Sequence, residues 1–349
     1  MLYMVQGMNR KMMQRCLQLA KNGLGTTYPN PLVGSVITVD NKIIAEGWHY
    51  KSGMPHAEVN AINAVKDSTI LKDATLYVNL EPCIHFGKTP PCSHKIVELG
   101  IPKVVVGSRD YASHVNGQGI DYLKNHGVEV VEKILQEESY ELNKRFFTFH
   151  QKKRPYIILK WAETVDGYFA PLDKTQKWIT GHFSKQLVHL WRTQEQAILI
   201  GGETLRIDDP QLNARLWKGN NPIKVIVSNQ IQPGSSYQVL KGNRTIIINH
   251  HTLKTRDNVS WIKINKQEDM IPQILSVLHK EGIQSIIIEG GKSILEQFIA
   301  SNLWDEARVL NGSTPWNAGI KAPVLSNHKN RLQQRVGTDI YTLYQNETL

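Results

Sequence analysis

At 349 residues the chain is long for one domain and comfortable for two. Hydrophobic residues at 41% and charged residues at 21% exclude a disordered or fibrous protein, and no apolar run approaches transmembrane length, so no membrane partner is expected. Lysine and arginine outnumber aspartate and glutamate 41 to 31, a net +10 that favours anionic partners, phosphorylated small molecules as readily as RNA. These basic residues are scattered, and their densest cluster, Lys152-Lys153-Arg154, falls where a linker is expected and reads as a solvated connector. Three cysteines leave no disulfide framework once two are assigned to a metal, and residues 1–10 lack a signal-peptide pattern, so the expected compartment is the cytoplasm.

The chain opens with a helix over about residues 9–22, whose apolar positions (Met12, Met13, Cys16, Leu17, Leu19, Ala20) recur at helical spacing and which Gly23 ends. Cys16 belongs to that apolar run and reads as a packing residue. Tyr28-Pro29-Asn30-Pro31 breaks the chain, and residues 32–39 and 42–48 then form a hairpin across Asp40-Asn41. A helix after Pro55 carries His56 and Glu58, with Val59, Ile62 and Val65 expected on its buried side. Residues 74–80 read as a strand delivering Glu81-Pro82-Cys83, residues 92–99 as a helix, and residues 103–107 and 127–131 as strands flanking a helix near 119–126. This is alternating strand and helix on a mixed sheet.

His56-Ala57-Glu58, Cys83 and Cys92 carry the chemistry of this half. One imidazole and two thiolates are three protein ligands, the number a catalytic zinc takes when its fourth tetrahedral position stays open. Glu58 beside such a metal can take a proton from a water and pass it to a leaving amine. H-x-E followed by P-C-x-x-C is the signature of zinc deaminases, and this chain departs from it once: residues 84–91 separate the two cysteines. Thr89 followed by Pro90 and Pro91 reads as an N-cap and first turn, which puts Cys92 at a helix N-terminus where a thiolate is favoured. A structural zinc would want a fourth ligand, and the candidate is His85.

A second domain starts after Gln151-Lys152-Lys153-Arg154-Pro155, where residues 156–161 read as a strand. Two units there share one design. Ala197-Ile198-Leu199-Ile200 runs into Gly201-Gly202 and a helix near Thr204, and Ile286-Ile287-Ile288-Glu289 runs into Gly290-Gly291 and a helix from Ser293. Each sets backbone N–H groups at a helix start beyond a buried strand, an arrangement that suits phosphates. Neither matches G-x-G-x-x-G, so a Rossmann fingerprint is absent. From residue 308 onward the chain reads only as further sheet and loop.

The order of motifs in the first half, Tyr28-Pro29-Asn30-Pro31-Leu32-Val33-Gly34, Gly47-Trp48-His49, Pro55-His56-Ala57-Glu58 and Leu80-Glu81-Pro82-Cys83 through Thr89-Pro90-Pro91-Cys92, resembles the deaminase domain of the bifunctional riboflavin-biosynthesis deaminase/reductases. In the second half Lys160-Trp161-Ala162, Val165-Asp166-Gly167, Trp178-Ile179-Thr180, Gly201-Gly202-Glu203-Thr204, Asp208-Asp209-Pro210, residues 212–215 and Ile288-Glu289-Gly290-Gly291 are similar to the reductase domain of the same family. The resemblance spans roughly residues 10 to 305. It implies an α/β protein: a cytidine-deaminase-like three-layer α/β/α domain over residues 1–150, followed by a dihydrofolate-reductase-like α/β domain over residues 151–349. It implies one Zn2+ per subunit on His56, Cys83 and Cys92, proton transfer by Glu58, and substrate contacts from Asn30, His49 and Lys88. For the second domain it implies NADPH contacts at Ala162, Trp178, Thr204, Asp208, Gly291, Lys292, Ser293, Ile294, Leu295, Glu296 and Gln297. Substrate contacts there fall on Gln176, Arg192, Leu212, Arg215 and Glu289. The implied reactions are hydrolytic deamination of a phosphoribosylamino diaminopyrimidinone and NADPH-dependent reduction of its ribosyl group to ribityl. The expected partner is therefore a phosphorylated small molecule and not nucleic acid, in a homo-oligomer, dimer or tetramer.

Overall fold

The computed structural model describes residues 2–85, 90–111, 117–173, 175, 177–251 and 258–348. Lys88 and Thr89 of the metal loop and Gln176 of the second domain lie outside the described residues. The chain divides into two compact units, Met1–Lys152 and Lys153–Leu349.

In the first unit the elements are α1 (Leu2–Ala20), β1 (Gly34–Val39), β2 (Lys42–Trp48), α2 (Ala57–Asn63), β3 (Thr75–Leu80), α3 (Cys92–Glu98), β4 (Lys103–Ser108), α4 (Gln118–Asn125), β5 (Glu129–Val131), α5 (Gln136–Leu142) and α6 (Lys144–Lys152). The sheet order is β2-β1-β3-β4-β5, with β1 antiparallel to both neighbours and β3, β4 and β5 parallel. β1, β3 and β4 are buried nearly throughout, as strands covered on both faces must be, whereas the edge strand β2 alternates. One face packs Val36, Tyr77 and Val105 against Met13, Cys16 and Leu17 of α1. The opposite face packs Ile37, Leu76, Val78, Val104 and Val106 against Ala61 and Ile62 of α2, Ile96 of α3 and Ile120 and Leu123 of α4. Asp40 and Asn41 both adopt positive φ (48° and 62°), the mirror-image turn that suits a two-residue hairpin.

Two expectations need correction here. His56 is not inside a helix but is the extended residue preceding α2, and the buried side of α2 is Ala57, Glu58, Ala61 and Ile62, with Val59 and Val65 only half-buried. An apolar-periodicity reading rotates the helix to hide Val59, whereas the real rotation turns a carboxylate inward. Arg154 is likewise no solvated connector: it is 6% exposed and grips Asp305 with two hydrogen bonds, Nη1–Oδ2 2.6 Å and Nη2–Oδ1 2.8 Å.

The second unit comprises β6 (Tyr156–Thr164), β7 (Tyr168–Ala170), α7 (His182–Gln194), β8 (Ala197–Gly201), α8 (Gly202–Asp208), β9 (Ile223–Val227), β10 (Thr245–Asn249), β11 (Val259–Lys263), α9 (Met270–Lys280), β12 (Ser285–Gly290), α10 (Lys292–Ala300), β13 (Glu306–Gly312), β14 (Ile320–Lys321), β15 (His328–Val336) and β16 (Asp339–Asn346). Among the described residues one nine-stranded sheet runs β11-β10-β9-β8-β12-β6-β13-β16-β15. Its first seven strands are parallel, and β16 and β15 join antiparallel. The inner strands β8, β10 and β12 carry uninterrupted Ile and Leu runs because both faces are covered, which gives one core with α9 and α10 and another with α7. The stretch beyond residue 308 thus contributes the antiparallel margin of the main sheet.

Candidate active sites

In the first unit three donors converge. His56 precedes α2, Cys83 follows β3 and Cys92 opens α3. His56 Nδ1 stands 3.5 Å from Cys83 Sγ and 3.4 Å from Cys92 Sγ, and all three ligand atoms lie within 4.8 Å of one another. Tetrahedral zinc bonded at ordinary Zn–N and Zn–S lengths would separate a nitrogen from a sulfur by about 3.6 Å, so the donor set fits that ion. His85 is not part of the cluster. The two cysteine segments are pinned to each other, since Ser93 donates from both its backbone N (3.2 Å) and its Oγ (2.9 Å) to the Cys83 carbonyl. Cys92 N–H also points at Cys83 Sγ, at 3.3 Å. Hydrogen bonding from the Cys92 thiol pulls Cys83 down to about 4, while Cys92 moves up. The hydrogen bond to Cys83 takes His56 up to about 9.

Glu58 lies in the first turn of α2, 3% exposed, and burial pushes its carboxyl up to about 7. What brings α2 so near the sheet is Gly47 of β2: a Cβ there would meet Ala61 N at 2.4 Å and Ala57 O at 2.7 Å. His49, the residue after β2, is 2% exposed and its ring stands edge-on to His56 at 5.5 Å between centroids. Because the Pro55 carbonyl can only accept, His49 Nδ1 donates to it at 3.0 Å, and Nε2 then accepts from Asn30 Nδ2 at 3.0 Å. Burial keeps this imidazole below its ordinary range. The Asn30 loop is held by side chains that sequence reasoning missed. Asn143 Oδ1 accepts from Leu32 N–H (2.8 Å), and Asn143 Nδ2 and Asn79 Nδ2 both donate to Leu32 O, at 2.9 and 3.0 Å. No sequence signal marked either asparagine.

In the second unit β8 and β12 are neighbours, so their two glycine turns end side by side. A Cβ at Gly290 would strike Ile200 Cγ2 at 2.7 Å and Thr204 Cγ2 at 3.0 Å, and Gly291, at φ 81°, precedes α10. The paired turns and the first-turn N–H groups of α10, which have no partner inside the helix, fit a dinucleotide phosphate. Thr204 lies against this turn and Asp208 ends α8, its carboxyl raised by burial. Of the stretch from Gly291 to Gln297, Ile294 and Leu295 are buried in the core, so only their backbone can reach a cofactor. Lys292 pairs with Glu296 at 3.4 Å, and Gln297 folds back onto Ser293. Ala162 is half-buried on β6, while Trp178 is 63% exposed with Lys185 Nζ 3.7 Å above its ring.

Four of the residues expected to meet substrate do come together. Arg192 of α7 forks onto Glu289 of β12 (Nε–Oε1 3.0 Å, Nη2–Oε2 2.7 Å) and gives Nη1 to the Asn213 carbonyl at 3.0 Å. Arg215 is exposed and donates Nη1 to Asn213 Oδ1 at 3.0 Å, and Leu212, buried at φ 52°, begins that turn. Lys160, on the adjacent strand β6, sits 3.7 Å from Glu289 Oε2. Burial would raise Glu289, but Arg192 and then Lys160 outweigh it and hold the carboxyl at about 2. Sequence reasoning did not single out Lys160, because its partner is supplied by the pairing of β6 with β12.

Three converging donors beside a buried carboxylate make the site of a metal-dependent hydrolase, and a second unit with a phosphate-type cradle makes the chain a two-site enzyme. Residues 7–108 match the family described as "Cytidine and deoxycytidylate deaminase zinc-binding region", and residues 155–314 match "RibD C-terminal domain". The riboflavin biosynthesis protein RibD of Aquifex aeolicus is 38% identical over 309 residues, covering 86% of each chain. A Thermotoga maritima crystal structure, described as a diaminohydroxyphosphoribosylaminopyrimidine deaminase/5-amino-6-(5-phosphoribosylamino)uracil reductase, superposes with a TM-score of 0.90 at 34% identity, over 98% of this chain and 99% of that one. One crystal form of Acinetobacter baumannii RibD gives 0.88 at 30% identity over 97% and 99%. The chain belongs to the RibD family of bifunctional riboflavin-biosynthesis deaminase/reductases. Its first unit has the cytidine-deaminase-like fold and its second the reductase fold of that family.

Proposed function

We propose that residues 1–150 act as a zinc-dependent deaminase and residues 151–349 as an NADPH-dependent reductase, working in succession on one phosphorylated pyrimidine. The first would hydrolyse the 2-amino group of 2,5-diamino-6-(5-phosphoribosylamino)pyrimidin-4(3H)-one. The second would reduce the ribosyl group of 5-amino-6-(5-phosphoribosylamino)uracil to ribityl. The reading rests above all on the convergence of His56, Cys83 and Cys92 beside buried Glu58.

In the deaminase His56, Cys83 and Cys92 hold the metal. Zinc, when bound, supplies the Lewis acidity that makes water a nucleophile near neutral pH. Glu58 takes the proton of the attacking water and returns it to the departing amine, a task served by a carboxyl raised to about 7. Asn30, fixed by His49, presents its amide to the pyrimidine edge, and the family resemblance assigns a further substrate contact to Lys88. In the reductase, Thr204, Asp208, Ala162, Trp178 and the Gly291–Gln297 segment hold NADPH, which supplies hydride. Arg192 keeps Glu289 ionised and oriented, Leu212 lies buried at the start of the turn that carries Arg215, and Arg215, whose guanidinium is the more exposed of the two, takes the substrate phosphate.

Incubating the protein with the diaminopyrimidinone phosphate, with and without NADPH, tests both halves. Ammonia should appear in either case and the ribityl product mass only with NADPH; no ammonia from zinc-replete protein would reject the deaminase. One zinc per subunit, a dimer or tetramer in light scattering, and a cytoplasmic enzyme that binds RNA only weakly and with a steep salt dependence complete the reading. Among the described residues no helix is long and apolar enough to cross a membrane.

A further inference from the structure

One polar side chain in the reductase cluster has no task in the foregoing account. His189 lies on α7 one helical turn before Arg192, so both project from the same side of the helix. It is 5% exposed, and its Nδ1 is sealed from solvent with no hydrogen-bond partner. A sealed N–H without an acceptor is rarer than an unpaired acceptor, so the neutral ring carries its proton on Nε2. Nε2–H is then the one donor the ring has to offer. The charged groups acting on the ring are Arg192, Arg215, Glu289 and Lys160; burial and then Arg192 and Arg215 keep the imidazole neutral down to about pH 4. Three cations against one carboxylate leave a positive surplus around an N–H donor. Arg192 and Lys160 both lie against Glu289, whereas Arg215 is tied only to the Asn213 side chain and is the cation of the three with no carboxylate beside it among the described residues.

We propose that His189 contacts the substrate of the reductase and helps set its specificity, its Nε2–H donating to a phosphoryl oxygen beside the Arg215 guanidinium. The proposal rests on reading this cluster as the substrate site. A neutral donor adds recognition there without placing a fourth cation against Glu289. It also favours a phosphorylated sugar over the free nucleoside, which would leave Nε2–H facing an empty, positively charged corner.

The test uses the full-length protein, NADPH, and 5-amino-6-(5-phosphoribosylamino)uracil beside its dephosphorylated nucleoside. His189→Phe keeps a ring but removes the donor. KM for the phosphorylated substrate should rise about tenfold with kcat within about twofold, the loss of one hydrogen bond to a charged group. KM for the nucleoside should not change, competitive inhibition by ribose 5-phosphate should weaken in parallel, and His189→Gln, which keeps an N–H donor near the same place, should recover most of the loss. Unchanged KM in His189→Phe with normal NADPH affinity overturns the proposal, and so does an equal loss on both substrates, which would mark His189 as structural. If the phenylalanine variant does not fold, the imidazole 15N signals of the wild-type protein decide: ribose 5-phosphate should shift the Nε2 signal of His189, and no shift at saturation overturns the contact. Arg215→Gln separates the two readings. Loss of phosphate preference there but not in His189→Phe rejects His189 alone, whereas preference retained in both rejects the cluster as the phosphate site.

Discussion

In the first unit two sulfurs crowd one imidazole nitrogen at 3.4 and 3.5 Å, a donor set with no cation of its own among its side chains. In the second unit Glu289 meets Arg192 and Lys160 directly, and the protein alone supplies the balance. The two sites therefore depend on different things. The deaminase constellation is a ligand set whose charge is completed from outside, while the reductase cluster is a buried network whose members stabilise one another before any substrate arrives. Removing the outside component should silence the first and leave the second intact; removing one member of the second should be felt as lost stability.

The largest effect expected is from metal removal. Chelation, or Cys83→Ser, should abolish zinc content and deamination together while NADPH oxidation on supplied intermediate continues, since each unit has its own core. Full ammonia release from zinc-free protein would remove the contrast. Glu58→Gln sharpens it further: the amide keeps size and hydrogen bonding but cannot move protons. Bound zinc should remain, deamination should fall by roughly two orders of magnitude or more, and reduction should be unaffected. Parallel loss of both activities in a folded protein would point to a coupled site.

The pH dependence of the second unit provides the opposite probe. Glu289 is held at about 2 against an ordinary 4.5, so its contribution to stability is fully present above pH 4.5 and is lost as pH falls toward 2. That contribution is on the order of 3 kcal/mol. Glu289→Gln should forfeit it above pH 4.5, by leaving Arg192 and Lys160 buried without their counter-charge at a cost of about 3 to 5 kcal/mol, and the difference from the parent should shrink as pH falls toward 2. Denaturant unfolding between pH 3 and 7 would show this as a flattened acid limb in the variant. An unchanged limb would mean that the network is not the acid-sensitive element.

The same contrast explains what could be read from the sequence. His56, Glu58, Cys83 and Cys92 lie on short motifs whose residue types already state the chemistry, and the strands beneath them are apolar runs bounded by turn residues. The reductase network is assembled differently: Lys160, Arg192 and Glu289 come from β6, α7 and β12, and only the adjacency of two parallel strands brings the lysine to the glutamate. Arg154 was misread for the same reason, because its counter-charge Asp305 is far along the chain and a run of basic residues resembles surface. Helix rotation was equally hidden. Periodicity ranks Val59 above Glu58 for burial, and only the close approach permitted by Gly47 shows why the carboxylate faces inward.

The smallest of these effects concerns the arginines of the second unit, and it tests whether that unit is preorganised as described. Arg192 has three of its donors committed to Glu289 and Asn213, whereas Arg215 is exposed and tied only to the Asn213 side chain. Arg215→Ala should therefore weaken substrate affinity by about 1.5 to 3 kcal/mol, the range for a hydrogen bond to a charged group, with little change in unfolding free energy. Arg192→Ala removes the partner that holds Glu289 ionised, so affinity and stability should fall together and the acid limb should shift toward higher pH. Measuring KM and unfolding for both variants separates a residue that meets the substrate from one that orders the site. If Arg192→Ala left stability unchanged while Arg215→Ala lowered it, the balance of charges inferred for this cluster would have to be reversed.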